Sequence, residues 1–160
     1  MTDNTFINGK FISRGTAAIS IDDAGFLYGD GIFETIRSYQ GNPFKLEDHI
    51  DRLLYSLKQL KYSTYFDKTY IKSAVYELLS KNKLSQNNAY IKIIVTRNGY
   101  GQKFHYDLQI KPNIIIIAKN IDSYPDEYYK NGVKIISSDL KRSATGSDLN
   151  KFKLLNYFEN

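Results

Sequence analysis

Cysteine is absent from this chain of 160 residues, and its absence limits the chemistry that the protein can perform. Disulfide scaffolds, thiolate metal sites and cysteine nucleophiles are all excluded. Long apolar runs are missing too, since no stretch approaches the roughly 20 residues that a membrane helix requires. The residues after Met1 are polar and have none of the basic and apolar character of a signal peptide. We therefore predict a soluble protein and expect it in the cytoplasm.

A strong excess of one charge is also lacking. The 22 Lys and Arg residues exceed the 17 Asp and Glu residues by a net charge of +5, and they are scattered along the chain. A nucleic-acid partner is therefore not predicted, because such partners are bound by clustered basic residues. The small excess supports only a weak attraction to anionic small molecules.

Motifs for several common reactions are missing as well. The segment Gly29-Asp30-Gly31 lacks the Gly-Lys-Ser/Thr ending of a P-loop, and no serine lies in a Gly-x-Ser-x-Gly elbow. His49 and His105 are too isolated in the sequence to form a metal site. No metal is expected.

What the chain does contain is a Gly-rich stretch at 25–37, around which the other elements are arranged. Its three glycines, at 25, 29 and 31, predict a loop that needs backbone freedom at positive φ. Alternation of side chains from 32 to 39 predicts a strand. An ordinary turn before a hairpin strand is the simpler interpretation. Upstream, Asn8-Gly9 predicts a type I′ hairpin within 5–14.

Two helices and two further strands follow. Residues 46–60 repeat leucine and isoleucine at helical spacing. A second helix is predicted at 68–83, with Asp67 as its N-cap. Residues 89–97 and 113–118 are rich in isoleucine and predict strands, the second of them buried on both faces.

These elements predict an α+β fold, in which an N-terminal antiparallel sheet packs with two helices and a second, mainly β domain begins afterwards. We place the N-terminal domain at 1–120 and an interdomain linker at 121–131, where the composition becomes that of a linker. Residues 132–160 would begin an incomplete C-terminal domain, with a short strand at 133–137 and the entry to a helix at 150–158. Because a segment of fewer than about 40 residues rarely forms a core of its own, we expect a fragment of a longer protein.

Two residues have ordinary explanations when they are considered alone. Arg52 lies four residues after Asp48 on the first helix, so a solvent-exposed ion pair of small energetic value is expected. Lys153 is one lysine among many, and few lysines are nucleophiles.

Four segments, in order along the chain, together resemble the class IV aminotransferases, the fold-type IV pyridoxal phosphate enzymes. That family includes branched-chain and D-amino-acid aminotransferases and aminodeoxychorismate lyases. The segments are GFLYGDGIFETIR at 25–37, LEDHIDRL at 46–53, IVTRNG at 94–99 and KLLNY at 153–157. Each is a weak or moderate pattern alone, and the four in sequence are a strong one.

The resemblance implies a cofactor, pyridoxal 5'-phosphate, and residues that hold it. Lys153 would be the Schiff-base lysine and would also move a proton between substrate and cofactor. Arg52 would bind the cofactor phosphate, because a guanidinium fork suits its oxyanions. Tyr157 would be a cofactor-facing tyrosine, whereas Lys151 is out of register for the lysine role. Residues 132–160 would then begin the cofactor-binding domain.

The resemblance also implies a substrate pocket, lined by Tyr28, Phe33, Tyr90, Lys92 and Arg97. Lys92 stands where branched-chain enzymes often have arginine, and a lysine binds a carboxylate as a point charge. The loop at 101–105 reads GQKFH and lacks the Arg-x-His carboxylate trap of D-amino-acid enzymes. An L-amino acid is therefore the expected substrate.

The predicted function is transfer of an amino group between an L-amino acid, with branched-chain ones as candidates, and a 2-oxo acid. Aminodeoxychorismate lyase chemistry is the alternative within the family. A catalytically silent chain that serves as an assembly module is the alternative outside it, and a general anion-binding domain has only the net charge in its favour. Small-molecule substrates are the expected partners, not nucleic acid or a membrane. Family members usually work as homodimers.

Overall fold

The computed structural model describes residues 3–99, 110–121, 123–137 and 148–156. Its strands are β1 (Asn4–Ile7), β2 (Lys10–Ser13), β3 (Gly31–Tyr39), β4 (Asn42–Pro43), β5 (Ala89–Thr96) and β6 (Asn113–Asn120). They form one antiparallel sheet in the order β2-β1-β6-β5-β3-β4. Together with the helices described next, this sheet confirms the predicted α+β class.

Helices lie between and after these strands. They are α1 (Ala24–Tyr28), α2 (Leu46–Gln59), α3 (Lys68–Lys81) and α4 (Asp126–Asn131), followed by a 3-10 turn at Asp148–Lys151. The two long helices, α2 and α3, pack against β3, β1 and β6 and against each other. Within the described ranges, no helix is both long and apolar enough to cross a membrane.

The hairpin of β1 and β2 forms where the Asn-Gly dipeptide predicts it. Asn8 and Gly9 have φ angles of 49° and 90°, and a type I′ turn requires positive values at both positions. Asn8 Oδ1 also accepts a hydrogen bond from the Ile114 N–H at 2.8 Å. The turn is thereby tied to β6.

One face of the sheet is sealed by α2 and α3. Alternate residues of β3, β5 and β6 point towards these helices, as the two-residue period of a strand dictates. These residues are at most 1% exposed: Ile32, Glu34, Ile36, Ile91, Ile93, Val95, Ile114, Ile116 and Ala118. The predicted strands at 32–39 and 89–97 are confirmed, and Glu34 is the charged member of an otherwise apolar set.

The opposite face of β6 is less completely covered than the sequence predicts. Ile115 is 8% exposed there, but Ile117 is only half-buried. The strand also continues to Asn120, two residues beyond its predicted end.

Both long helices form close to their predicted positions. Asp67 is the N-cap of α3, since its Oδ1 accepts a hydrogen bond from the Tyr70 N–H at 2.8 Å. The helix ends at Lys81, two residues before the predicted end. Asn82 stops it there, because its Nδ2 donates to the carbonyl oxygens of Asn4 and Ala118, both at 3.0 Å.

The strand predicted at 133–137 is wrong. These residues form no regular structure, and Ile135 and Ile136 are 88% and 93% exposed. A strand needs a neighbouring edge for its backbone groups, and no described strand lies beside this segment. Within the predicted linker at 121–131, the chain forms α4, none of whose residues is buried.

The helix entry predicted at 150–158 is also wrong over the residues that the structure describes. After the 3-10 turn the chain becomes extended, and Leu154 lies opposite Ile32 in an antiparallel bridge. Tyr157, His105 and the loop at 101–105 lie outside the described residues. The division into domains at 1–120 and 132–160 stays a prediction.

Candidate active site

The Gly-rich stretch begins with a short helix where the sequence predicts a loop. Asp23 caps α1, since its Oδ1 accepts hydrogen bonds from the N–H groups of Gly25 and Phe26 at 2.8 and 3.2 Å. The helix ends at Gly29, whose φ of 69° forms a left-handed C-cap. Tyr28, a predicted pocket residue, is the last residue of α1 and is 59% exposed.

Asp23 also fastens α1 to the sheet. Its Oδ2 accepts hydrogen bonds from Thr96 Oγ1 at 2.6 Å and from Asn113 Nδ2 at 2.7 Å. The residue is 0% exposed, so these bonds and the cap are what stabilise a buried carboxylate. They hold α1 at the ends of β5 and β6.

The three glycines serve two different purposes. Gly29 has a positive φ, and the other two do not. At Gly25 a Cβ atom would lie 2.8 Å from Thr96 Cβ, and at Gly31 it would lie 2.8 Å from the Val95 carbonyl oxygen. Both distances are far inside van der Waals contact. Gly25 and Gly31 are therefore required by the close approach of neighbouring chain, which corrects the prediction that all three provide a turn.

Residues 153–156, which we call the lysine segment, run along the outer edge of β3. The Phe33 N–H donates a hydrogen bond to the Lys153 carbonyl oxygen, and the Leu155 N–H donates one to the Gly31 carbonyl oxygen, both at 2.9 Å. This pairing attaches the lysine predicted from the fourth motif to the glycines of the first.

The side chains of the lysine segment alternate between the faces of the sheet. Leu154 lies opposite Ile32 and packs against the core. Since successive residues of an extended chain point in opposite directions, Lys153 and Leu155 lie on the face away from α2 and α3.

On that face, two lysines approach one aromatic ring. Lys153 Nζ lies 4.2 Å from the centre of the Phe33 ring, and Lys92 Nζ lies 4.6 Å from it. Tyr90 follows along the same face of β5, with Lys119 Nζ 5.4 Å from its ring centre. Cations near the face of a ring are held by its quadrupole. Four residues of the sequence prediction, Phe33, Tyr90, Lys92 and Lys153, are thus brought to one face.

Arg52 lies on the other face, in a fork with a buried carboxylate. Its Nε and Nη2 donate to Glu34 Oε1 and Oε2, both at 2.6 Å. His49 Nδ1 lies 2.8 Å from Glu34 Oε2. The hydrogen bonds that Glu34 accepts from Arg52 raise the pKa of the guanidinium above its ordinary value. The Glu34 side chain is 2% exposed, whereas that of Arg52 is 56% exposed.

The surface pair expected between Asp48 and Arg52 is wrong. Asp48 pairs instead with Lys45, at 3.2 Å. The Asp48 side chain is 67% exposed, while Glu34 offers Arg52 two oxygens in a desolvated position where charge-assisted bonds are strong. The buried partner therefore determines where the guanidinium lies.

Lys153 and Arg52 meet the same strand at consecutive residues. Phe33 contacts Lys153 on one face, and Glu34 binds Arg52 on the other. Between the lysine segment and β4, the outer edge of β3 has no partner strand among the residues that the structure describes. The two basic groups therefore flank one strand edge.

The class IV aminotransferase family model matches residues 31–160, a span that includes β3, Arg52 and the lysine segment. The chain belongs to this family. A putative branched-chain-amino-acid aminotransferase of Methanocaldococcus jannaschii is 37% identical over 158 residues, covering 95% of this chain and 51% of that protein. D-alanine aminotransferases are also among the relatives.

Solved structures of class IV enzymes have the same fold. The branched-chain amino acid aminotransferase of Escherichia coli matches with a TM-score of 0.85 at 23% identity, over 96% of this chain and 52% of that chain. The 4-amino-4-deoxychorismate lyase of Pseudomonas aeruginosa matches with a TM-score of 0.75 at 28% identity, over 97% of this chain and 53% of that chain. The chain spans about half the length of the curated relatives that it matches.

Class IV aminotransferases use pyridoxal phosphate, and the groups at the β3 edge suit this cofactor. Its aldehyde reacts with an amine, and its phosphate is bound by guanidinium groups. Lys153 offers the amine on one side of the edge and Arg52 offers the guanidinium on the other. The donor set fits, and the two assignments stay predictions.

Arg97, the arginine of the third family motif, is engaged at the end of α2. Its Nε donates to Asp30 Oδ2 at 2.8 Å, and its Nη2 donates to the Leu60 carbonyl oxygen at 3.0 Å. Its guanidinium carbon lies 4.0 Å from the centre of the Tyr62 ring, and the Tyr62 hydroxyl donates to Asp30 Oδ1 at 2.7 Å. The role of Arg97 in a substrate pocket stays a prediction.

Three acidic residues of the site were not predicted: Asp23, Asp30 and Glu34. Glu34 had a readable signal, because it occupies an inward position between Ile32 and Ile36 in an alternating strand. A buried carboxylate in such a row requires a cation. Asp23 and Asp30 each have at least one partner more than sixty residues away, and the sequence around them does not indicate that contact.

Proposed function

We propose that this chain supplies the reactive lysine and a phosphate-binding arginine of a pyridoxal phosphate-dependent aminotransferase. One observation carries the proposal: consecutive residues of β3, Phe33 and Glu34, hold Lys153 and Arg52. An amine and a guanidinium at one strand edge are the groups that an aldehyde bearing a phosphate needs. Membership of the class IV family supports the same reading.

When bound, pyridoxal phosphate supplies an aldehyde and an electron sink. Lys153 Nζ would attack the aldehyde and afterwards hold and move the proton of the substrate Cα. Its carbonyl oxygen is bonded to the Phe33 N–H, and the Phe33 ring limits where Nζ lies. Such positioning lowers the barrier to both steps.

Arg52 would bind the phosphate. Its fork with Glu34 occupies Nε and Nη2, so Nη1 is the part of the guanidinium outside the fork. The side chain is 56% exposed, which leaves it accessible to a ligand. Glu34, braced by His49, would hold the guanidinium in one orientation.

The substrate would lie on the face of Phe33, Tyr90 and Lys92, where Lys92 attracts a carboxylate. We propose an L-amino acid donor, with branched-chain amino acids as candidates, and a 2-oxo acid acceptor. The name of the Methanocaldococcus jannaschii relative supports this choice. Tyr28 and Arg97 would complete the pocket.

The full protein would be a cytoplasmic homodimer, since members of the family usually work as homodimers. Residues 1–120 would be its N-terminal domain, 121–131 its linker and 132–160 the beginning of its cofactor-binding domain, where Tyr157 would face the cofactor. This chain covers about half the length of its relatives, which supports the proposal that the full protein contains more of the cofactor-binding domain.

Borohydride trapping on the full-length protein tests the proposal. Lys153 Nζ should condense with the cofactor aldehyde with loss of one water, giving visible absorbance, and borohydride should donate the hydride that makes the bond permanent. Peptide mass spectrometry should locate the cofactor on Lys153, and Lys153→Ala should abolish the adduct. Lys151→Ala is the matched control, because Lys151 Nζ pairs with Asp148, and it should keep the adduct. Wild-type protein without an adduct would contradict the proposal.

Product analysis separates this function from the lyase of the same family, which the 28% identical Pseudomonas aeruginosa structure keeps as the second candidate. A transaminase forms glutamate from 2-oxoglutarate when L-leucine is supplied. A lyase consumes aminodeoxychorismate without any amino acceptor. A silent assembly module does neither and shows no spectral change with the cofactor.

A further inference from the structure

The Gly-rich stretch contacts the lysine segment at two glycines. At Gly29, a Cβ atom would lie 3.2 Å from Asn156 Cβ, and at Gly31 it would overlap the Leu155 side chain. Gly31 also accepts the Leu155 N–H at 2.9 Å. The Leu155 side chain therefore occupies the space beside Gly31 that the Cβ atom of any other residue would take.

The position of Lys153 depends on this contact, because two backbone hydrogen bonds attach the lysine segment to β3. Hydrogen bonds at Phe33 and Gly31 pair the segment with β3, one at each of its ends. Lys153 and Leu155 point to the same face of the sheet, so a displacement of Leu155 is transmitted to Lys153 through one intervening residue. The amine lies 4.2 Å from the Phe33 ring centre and would move with the backbone.

We infer that Gly31 is a positioning residue for Lys153 and acts through Leu155. The missing side chain at Gly31 leaves room for the Leu155 side chain, and thereby fixes where the lysine segment and its amine lie at the strand edge. The inference rests on the proposed role of Lys153. Because φ at Gly31 is not positive, an alanine there changes contacts and does not demand a forbidden backbone conformation.

Gly31→Ala tests the inference in the full-length protein, with pyridoxal phosphate as the probe. We expect the rate of borohydride-trapped adduct formation at Lys153 to fall about tenfold or more, since a displacement of roughly 1 Å reduces such rates by up to about 100-fold. Hydrogen exchange gives a readout without cofactor, in which the Leu155 amide should lose protection. Gly15→Ala is the matched control, because a Cβ there meets nothing within 4 Å, and it should change neither quantity.

A second substitution separates positioning from general crowding. Leu155→Ala removes the side chain that the new Cβ atom would meet. The double variant should therefore form the adduct about threefold or more faster than Gly31→Ala alone. If crowding against the Val95 carbonyl oxygen were the cause, adding Leu155→Ala would give no recovery, and the inference would be overturned. A folded Gly31→Ala protein with the wild-type rate would overturn it as well.

Leu155→Pro covers the case in which Gly31→Ala does not fold. It removes the N–H that donates to the Gly31 carbonyl oxygen and leaves the sequence of β3 unchanged. We therefore expect the rate of adduct formation at Lys153 to fall about tenfold, as for Gly31→Ala. An unchanged rate would overturn the inference. Failure of the proposed function looks different, because the wild-type protein itself would then form no adduct at Lys153.

Discussion

The two faces of the central strands differ in what covers them. Towards α2 and α3 the residues are at most 1% exposed, and Glu34 is the charged member of that set. On the opposite face the same strands present Phe33, Tyr90 and Lys92, covered in patches by α1 and the lysine segment. Adjacent residues of one strand thus lie in a dry core and in a partly open basic surface.

This difference separates stability from candidate chemistry at alternate positions of one strand. On the covered face, close packing restricts the positions other than Glu34 to apolar groups of similar shape. On the opposite face, basic and aromatic groups lie together with Tyr90 and Lys92 half-buried, and the proposed substrate would lie there. Glu34 is the exception on the covered face, because its buried carboxylate holds an arginine that reaches the solvent.

The largest expected effect compares neighbours on β5. Ile93→Ala should lower the free energy of unfolding by about 3–4 kcal/mol, because Ile93 is 0% exposed and the cavity would lie among well-packed side chains. Ile94→Ala, on the half-covered face, should lower it by about 1 kcal/mol. Chemical denaturation measures both values. Equal losses would mean that the two faces are equally packed.

Removing either partner of the buried ion pair should have unequal effects. Arg52→Gln leaves Glu34 buried with His49 alone, so we expect a loss of about 2–3 kcal/mol. Glu34→Gln leaves an arginine that can turn to solvent, so about 1 kcal/mol is expected. Thermal or urea unfolding checks this order, and combining both substitutions should restore part of the Arg52→Gln loss. A larger loss for Glu34→Gln than for Arg52→Gln would contradict the view that the buried carboxylate depends on the arginine.

The anchor of α1 on the open face should matter less. Asp23→Asn replaces an acceptor of four hydrogen bonds by a group that accepts at one atom only, and we expect a loss of about 1–2 kcal/mol in unfolding free energy. Asp22→Asn, at the exposed neighbouring position, is the control and should change stability by less than about 0.5 kcal/mol. An Asp23→Asn protein as stable as this control would mean that the cap and sheet contacts contribute nothing.

The smallest effect is expected on the outer surface of α2. The hydrogen bond from Lys72, and then its charge, hold the pKa of Glu47 below its ordinary value of 4.5. A lowered folded pKa stabilises the protein above the unfolded value, and that stability is lost as the pH falls through the folded pKa. Glu47→Gln should therefore flatten the decrease in melting temperature below about pH 4.5, and high salt should shrink the difference. An unchanged pH profile would show that the pair has no influence on stability.

Most of the fold follows from local sequence patterns. Two-residue alternation locates β3 and β5, helical spacing locates α2 and α3, and the backbone preferences of Asn8 and Gly9 locate the hairpin turn. The segments at 133–137 and 150–156 were mispredicted for the opposite reason. A strand depends on which edge lies beside it, and that edge is distant in the sequence: Leu154 pairs with Ile32.

The candidate site is less readable from its own residues. Nothing local distinguishes Lys153 from the other lysines, and the spacing of Arg52 pointed to Asp48 rather than to Glu34. The resemblance to class IV enzymes supplied both assignments. In the structure, the two side chains contact Phe33 and Glu34, which are consecutive residues of β3. The glycine pattern was read as conformational freedom because sequence does not reveal which chain approaches Gly25 and Gly31.

The order of the strands has a consequence for the newly made chain. β1 pairs with β6, and Thr5 lies opposite Ile117. At about 5–20 residues added per second, a ribosome takes on the order of ten seconds to make the partner after β1 has emerged. During that interval one edge of the N-terminal hairpin is bare, and bare edges attract other chains. With only four residues in β1, the stretch at risk of mispairing during synthesis is kept short.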